Sequence, residues 1–371
     1  AIFAQLMKGA VNTVKEFDSG LKNVQKTTGL SKTEIKGLGD DIVDLSKKLQ
    51  TVGTKSLLEY ATVAGKLGVK GSANILAFTE TLAKLETASD ISGQEGGASI
   101  ARLLTLVDGG VENVGDFGDE IVKLGNNFAA TEGEILGNAT AIAQNTGVYK
   151  LGRQAVLAYA TATKAVGIES EITGSTIGKT LGLIEKALRT GQGLEEITKL
   201  TGKSVDDLKE QFKNDAGSVF TDLIKGLNDV DKSGKSVNES LEGLGITAVR
   251  DQRVIGSLAT AGFGTLEKAM NDVTTASGAL GEEFETAASK LESQFNRISI
   301  SWENLILSLE SGDGIISKLV IKTIGSLAGT LDDLSNALDS NASIFETWGS
   351  LTKTFLKNVT VLSIFFRIFG D

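Results

Sequence analysis

Apolar residues near the start of the chain recur at alternating intervals of four and three. Phe3, Met7, Ala10, Val14, Phe17, Leu21, Val24, Thr28, Ser31, Ile35, Leu38, Ile42, Leu45, Leu49 and Val52 keep this spacing without a slip, as a heptad seam does. Thr28 and Ser31 are its weak places, beside Gly29. Ser31 and Glu34 also form a capping box. The pattern over 1–53 predicts either one helix of about 78 Å, at 1.5 Å per residue, or two antiparallel helices turning at Gly29. The apolar edge packs either within its own domain or between copies of the chain. Its strongest seam positions are Val14, Phe17, Leu21, Val24, Leu38, Ile42, Leu45 and Leu49.

Over 54–275 the stripes shorten. Thr54–Leu67 ends at Gly68. In 69–108, Ser72 is placed to cap a helix with Ile75, Phe78, Leu82 and Leu85 on one face. Gly93, Gly96 and Gly97 read as a hinge, after which Ile100, Leu103, Leu104 and Val107 resume the stripe until Gly109 and Gly110. The other helices are expected to be arranged around this pair. A short segment near Asp116–Leu124 stops at Gly125. Thr131 and Glu134 offer a capping box to a helix ending at Gly147. Leu151–Val166 stops at Gly167, and Ser170–Thr190 at Gly191. Ser204 with Asp207, and Ser236 with Glu239, mark further starts. Sustained period-two alternation of β-branched residues is not seen, so the expected fold is all-α.

From about Ala279 the long pattern returns, opening a third region, 276–371. Phe284, Ala288, Leu291, Phe295, Ile298, Trp302, Leu305 and Leu309 again alternate four and three, giving a second seam. Gly312 and Gly314 interrupt it. A stripe from Ile316 to Leu338 follows, then a helix from about Ser343. The end, Val359–Phe369, is apolar but only eleven residues long and contains an arginine. That is short of the roughly 20 residues a membrane span needs. It is either the buried face of a helix or a clipped membrane-active segment. The chain begins at Ala1 in helical register and stops just after this run, as expected of a piece of a longer polypeptide.

Composition narrows the chemistry. Of 371 residues none is Cys, His or Pro. Without Cys there is no disulfide and no thiolate site. Without His the commonest general base and transition-metal ligand is missing. Without Pro, helix can follow helix unbroken. The 47 acidic and 37 basic residues leave a net charge of −10, which argues against electrostatic capture of DNA or an anionic membrane. With 20 aromatics (15 Phe, 3 Tyr, 2 Trp), the core rests on aliphatic side chains.

Two motifs are near misses. Gly174-Ser175-Thr176-Ile177-Gly178-Lys179-Thr180 resembles a phosphate loop, but it has three residues between its glycines where four are needed, and no strand precedes it. Gly174, Gly178 and Gly182, spaced by four, instead clear one helix face for close approach of a neighbouring backbone. Asp229, Asp231, Ser233 and Gly234 open like a calcium loop. The twelfth position, however, is Ser240, with Glu239 one place early and Lys235 inside; a solvated turn is the better reading. No pair of carboxylates is singled out, and no serine has a histidine to activate it. No catalytic residue, cofactor or metal is expected.

The ordered series in the middle of the chain resembles the conserved core of phage tail tape measure proteins. It comprises Leu67-Gly68-Val69, ANILAFTETLAKLETASDI at 73–91, ASIARLL at 98–104 and FGDEIVKLGNNFAATEGEIL at 117–136. LAYATATKAVGIESEITGSTIGKTL at 157–181 and LGITAVRD at 244–251 complete it. The likeness spans roughly 10–310 and lies in the order of the pieces rather than in any one motif. It implies a structural virion protein of the tail lumen or tip, assembled in the host cytoplasm and without turnover. Copies would bundle as extended helices while tail tube subunits polymerise around them. Their length would set where the tube stops, and they would leave ahead of the DNA, some members then helping to breach the host envelope. The implied partners are further copies of the chain, the tail tube protein and tail tip or baseplate hub proteins. The host membrane would be met only through the apolar end, and DNA only as a neighbour in the lumen. The resemblance points to a trimer, although Ala, Ser and Thr at seam positions do not themselves choose between trimer and larger bundle. Competing classes are a ruler or helical module of a contractile injection system, a secreted helical effector, and a tail-associated cell-wall hydrolase.

Overall fold

In the computed structural model, residues 2–107, 110–289 and 291–310 are described; side chains of 2–11, 291–296, 298 and 308–310 are not. The expectations for 312–371, including the Ile316–Leu338 stripe and the apolar Val359–Phe369 segment, lie outside the described residues. Within them the protein is all-α: seventeen helices, one 3-10 turn and no strand. No helix among the described residues is long and apolar enough to cross a membrane.

The chain divides into two compact units. The first comprises 2–23, Ile35–Leu58, 288–289 and 291–310 among described residues. It holds most of α1 (Ile2–Thr28) and α2 (Lys32–Leu49), the start of α3 (Thr54–Lys66), and α17 (Leu291–Glu310). Of the two forms predicted for 1–53, the structure takes the turned one. Gly29 sits at φ +71°, where L side chains are strained, and Leu21 and Phe17 lie against Gly39. The turn is locked by the capping box: Ser31 N–H donates to Glu34 Oε2 at 2.8 Å, and Glu34 N–H to Ser31 Oγ at 3.3 Å. α17 packs on this hairpin of its own chain. Asn304 Nδ2 donates to Ser46 Oγ at 3.2 Å, Thr54 donates to the Glu303 carboxylate, and Ile300, Leu305, Ile306 and Leu307 are buried.

The second unit runs over Val24–Glu34 and Glu59–Ala287. Its helices are α4 (Ser72–Ala88), α5 (Gly93–Val107), α6 (Val114–Asn127), α7 (Glu132–Thr146), α8 (Arg153–Ala165) and α9 (Ser170–Thr190). After them come α10 (Leu194–Thr201), α11 (Val205–Asn214), α12 (Ala216–Lys232), α13 (Val237–Gly243), α14 (Val249–Ala259), α15 (Phe263–Thr274) and α16 (Ala279–Ala288). The helices gather around α7 and α12 rather than around the α4–α5 pair. α7 packs on α5, α6, α8 and α9, while α12 packs on α10, α11, α13 and α14; α8 reaches both α14 and α15. α8 is buried almost all round, from Val156 to Thr163, as its alanine-rich sequence permits. Its polar groups are met inside: Thr161 donates to Leu157 O, and Tyr159 to Gly217 O at 2.7 Å.

Three local expectations are corrected. Ser72 does not cap α4; the capping residue is Gly71 at φ +81°, and Ser72 is the first helical residue. Gly93, Gly96 and Gly97 are not a hinge but the buried first turns of α5. They are small because Tyr60, Ile91 and Leu82 press on them; the break falls at Ser89–Ser92. Gly125 likewise lies inside α6, with the Glu132 side chain over it. The stripe from Phe284 to Leu309 is divided between α16 and α17.

Candidate functional site

The candidate site is a set of helix contacts, and it begins with α7 and α9. The Thr131–Glu134 capping box sets the start of α7: Glu134 N–H donates to Thr131 Oγ1 at 3.3 Å, and Thr131 N–H to Glu134 Oε2 at 3.1 Å. α7 then presents the carbonyls of Ala141 and Asn145 toward α9. Gly174 faces Ala141 O, and Gly178 faces Asn145 O, so closely that a Cβ at Gly178 would stand 2.7 Å from that oxygen. Gly182 faces only the Tyr149 hydroxyl, 3.4 Å from where its Cβ would be. The same stretch is no phosphate loop. It is interior helix, with Thr176 Oγ1 donating to Asp251 Oδ1 at 2.8 Å and Lys179 Nζ standing 3.2 Å from Asp251 Oδ2. Burial alone would raise the Asp251 pKa. The bonds from Thr176 and Lys179 and the charges of Lys179 and Arg250 outweigh it and hold the carboxyl below its usual range.

A buried ion pair fixes α8 against α6. Arg153 Nε donates to Glu120 Oε2 at 2.6 Å and Arg153 Nη2 to Glu120 Oε1 at 3.0 Å; their side chains are 10% and 4% exposed. Gln154 Nε2 adds a third bond to Glu120 at 3.1 Å. Two further carboxyls are pushed up. Glu86, hydrogen-bonded by Tyr60, is raised by burial and by Glu59. Glu132 is raised by burial, with Asp90 and Glu283 adding to it. None of these pairings was readable in the sequence: Glu120 lies 33 residues from Arg153, and no short spacing joins them.

The calcium-like run is helical where it would have to wrap an ion. α12 carries Asp229 and Asp231 and turns only at Gly234, φ +74°. The open cleft beside it, about 480 Å³, mixes Glu196, Asp229 and Glu239 with Lys199 and Lys235. Among the described residues no group of three or more Asp or Glu is placed to hold a metal.

The seam residues divide by depth. Leu38, Ile42, Leu45 and Leu49 of α2 are buried, as is Val24, whereas Val14, Phe17 and Leu21 of α1 are half-buried. In the second stripe Phe284 and Leu305 are buried and Trp302 is half-buried. Leu291, Phe295, Ile298 and Leu309 are helical positions of α17 whose side chains lie outside those described. Part of the α1 stripe therefore stays open to solvent, while the α2 stripe is consumed within the chain.

No curated protein and no solved structure matches the chain. Residues 39–244, more than half of its length, match the profile of the phage-related minor tail proteins. That match begins in α2 and covers α3 to α13, the capped and glycine-jointed helices just described. An all-helical body whose polar clusters hold helices together, matched over this span, is a structural component of the virion tail, and the chain belongs to the phage-related minor tail protein family.

Proposed function

We propose that this minor tail protein is a tail tape measure, lying in the tail lumen and reaching the tip. Several copies bundle through helical seams, the tail tube assembles around them, and the bundle leaves as the genome is ejected. The observation that carries the proposal is the family match to a chain whose regular structure, among described residues, is entirely helical. Helix converts residue number into length at 1.5 Å per residue, so 371 residues span about 550 Å when fully extended. The half-buried Val14, Phe17 and Leu21 leave an apolar edge for a second copy. The net charge of −10 repels DNA in the same lumen. Tube and tip proteins are the expected neighbours, and no turnover is involved.

The test is a ruler experiment in the phage that carries this gene. In-frame removal of 194–259 should shorten the tail by about 100 Å, and duplication of the same stretch should lengthen it equally, at 1.5 Å per residue. Tails of unaltered length in negative-stain images would overturn the proposal.

A further inference from the structure

The second seam is continuous in the sequence and divided in the fold. Phe284, Ala288, Leu291, Phe295, Ile298, Trp302, Leu305 and Leu309 keep the four-three spacing throughout, yet α16 ends at Ala288 and α17 begins at Leu291. The comparable turn after α1 has Gly29 at φ +71° to impose it. Here the run Ala288-Ser289-Lys290-Leu291 holds no glycine or proline. Ser289 and Glu292 stand at capping-box spacing, which favours a start at that point; the unbroken stripe favours one helix through it. The same residues suit two arrangements, and contacts elsewhere choose between them.

The contact that chooses is made by α6. Its Asp119 caps α16 from outside: Gly278 N–H donates to Asp119 Oδ2 at 2.8 Å and Leu280 N–H to Asp119 Oδ1 at 3.0 Å. One carboxylate thus takes two of the N–H groups that a helix start leaves unpaired, and its charge faces the positive end of the helix. Leu280 lies over Gly118, where a Cβ would come within 2.7 Å of Leu280 Cδ2. Asn126 Nδ2 donates to Glu283 Oε2 at 3.1 Å. Leu280, Phe284 and Ala287 are buried. As the last helix of the second unit, α16 can leave without unthreading another.

We propose that α16 is a strap, held on α6 by Asp119, whose release joins it to α17 as one helix over 279–310 and completes a seam for a second copy of this chain. The occupant follows from the pattern, because a four-three stripe is complementary to another like itself. Leu305 is already buried, so the part offered to the copy runs from Phe284 toward Ile298. Exposing Leu280 and Phe284 is unfavourable for a lone chain. The strap therefore stays closed until a neighbouring copy covers them, and association and extension occur together. Its use rests on the bundling of copies proposed above.

The chain has no cysteine, so a bridge can be placed cleanly. Asp119→Ala should raise self-association of the full chain about tenfold, the scale of a lost helix cap, as read by sedimentation velocity. In hydrogen exchange of the associated sample, Gly278 and Leu280 should lose protection while Leu291, Glu292 and Ser293 gain it. The first N–H groups of α17 find carbonyls four residues back only if the helix continues through 289–290. Asn126→Cys with Glu283→Cys, joined by a short bismaleimide, should return association and the exchange of 291–293 in the Asp119→Ala chain to the parent's.

Faster exchange at both places would mean that α16 merely frays, and would overturn the proposal. So would association that Asp119→Ala leaves unchanged, or that persists across the bridge. If Asp119→Ala does not fold, bridged and unbridged chains with Asp119 in place decide instead: the bridge should lower association, and equal association would overturn the strap. Unaltered tail length with the strap behaviour intact would remove the ruler and leave the strap; the reverse pattern would do the opposite.

Discussion

A glycine in this chain does one of three jobs, and the sequence alone does not say which. Some sit at positive φ and end helices, as Gly167 and Gly191 do at +76° and +82°. Some, such as Gly174 and Gly178, admit another backbone. Others have open space around them, Gly137 of α7 among them. The contrast predicts opposite outcomes for one substitution. Gly174→Ala should lower stability by about 1–3 kcal/mol, because the added carbon collides with a carbonyl that cannot turn aside. Gly137→Ala should raise it by about 0.5–1 kcal/mol through helix propensity alone. Urea midpoints of the two variants check both signs. Spacing by four pointed to Gly174 and Gly178 because both lie on a single helix. It said nothing of Tyr60 and Leu82 crowding Gly93 and Gly97, since those contacts join separate helices. There a cluster of glycines read as a break where the chain is tightly packed.

Four helix starts were legible because the capping partner is three residues away; the Asp215 cap of α12, with the same spacing to Ser218, was not read. Ser31, Thr131, Ser204 and Ser236 all accept from the backbone N–H at that distance. Pairing between helices was not legible, and the Arg153–Glu120 bridge from α8 to α6 is the clearest case. Glu120→Gln removes the charge that the buried Arg153 guanidinium faces at 2.6 Å, while Asp116 stands 3.9 Å away and largely exposed. It should destabilise the second unit by about 3–5 kcal/mol, as removal of one partner from a buried pair does. Arg153→Met with Glu120→Leu should recover most of that loss, because no charge is then left stranded. A double-mutant cycle built from Arg153→Met, Glu120→Leu and the two together, read from urea midpoints, measures the coupling. Capping depends on neighbours along the chain; a buried pair depends on which helices meet, and apolar periodicity leaves that choice open.

For the molecule as a whole the all-α class followed from periodicity and the lack of proline. The meeting of α17 with α2 and α3 within one unit did not, because a heptad stripe carries no label for its partner. Acidity sets the pH response. Glu86 and Glu132 hold their protons more tightly when folded than when unfolded. Over the window above the ordinary glutamate value the folded chain therefore binds more protons, and stability falls as pH rises through it. Asp251 acts in the opposite sense, its contribution being lost as pH falls below the ordinary aspartate range. Glu132→Gln should therefore raise the melting temperature at neutral pH, with the gain fading as pH falls toward the ordinary glutamate range. Calorimetry across that range checks the slope, and a gain that grew in acid would contradict the assignment.

The joints at Gly29, Gly68, Gly167, Gly191 and Gly202 all rest in the left-handed region, yet glycine is nearly as comfortable in the right-handed one. Each joint is thus a swivel that straightens by turning about single bonds, against none of the roughly 20 kcal/mol barrier that a proline isomer would impose. Changing the angle between two neighbouring helices therefore needs no chemistry at the joint itself; what resists it is the packing on either side.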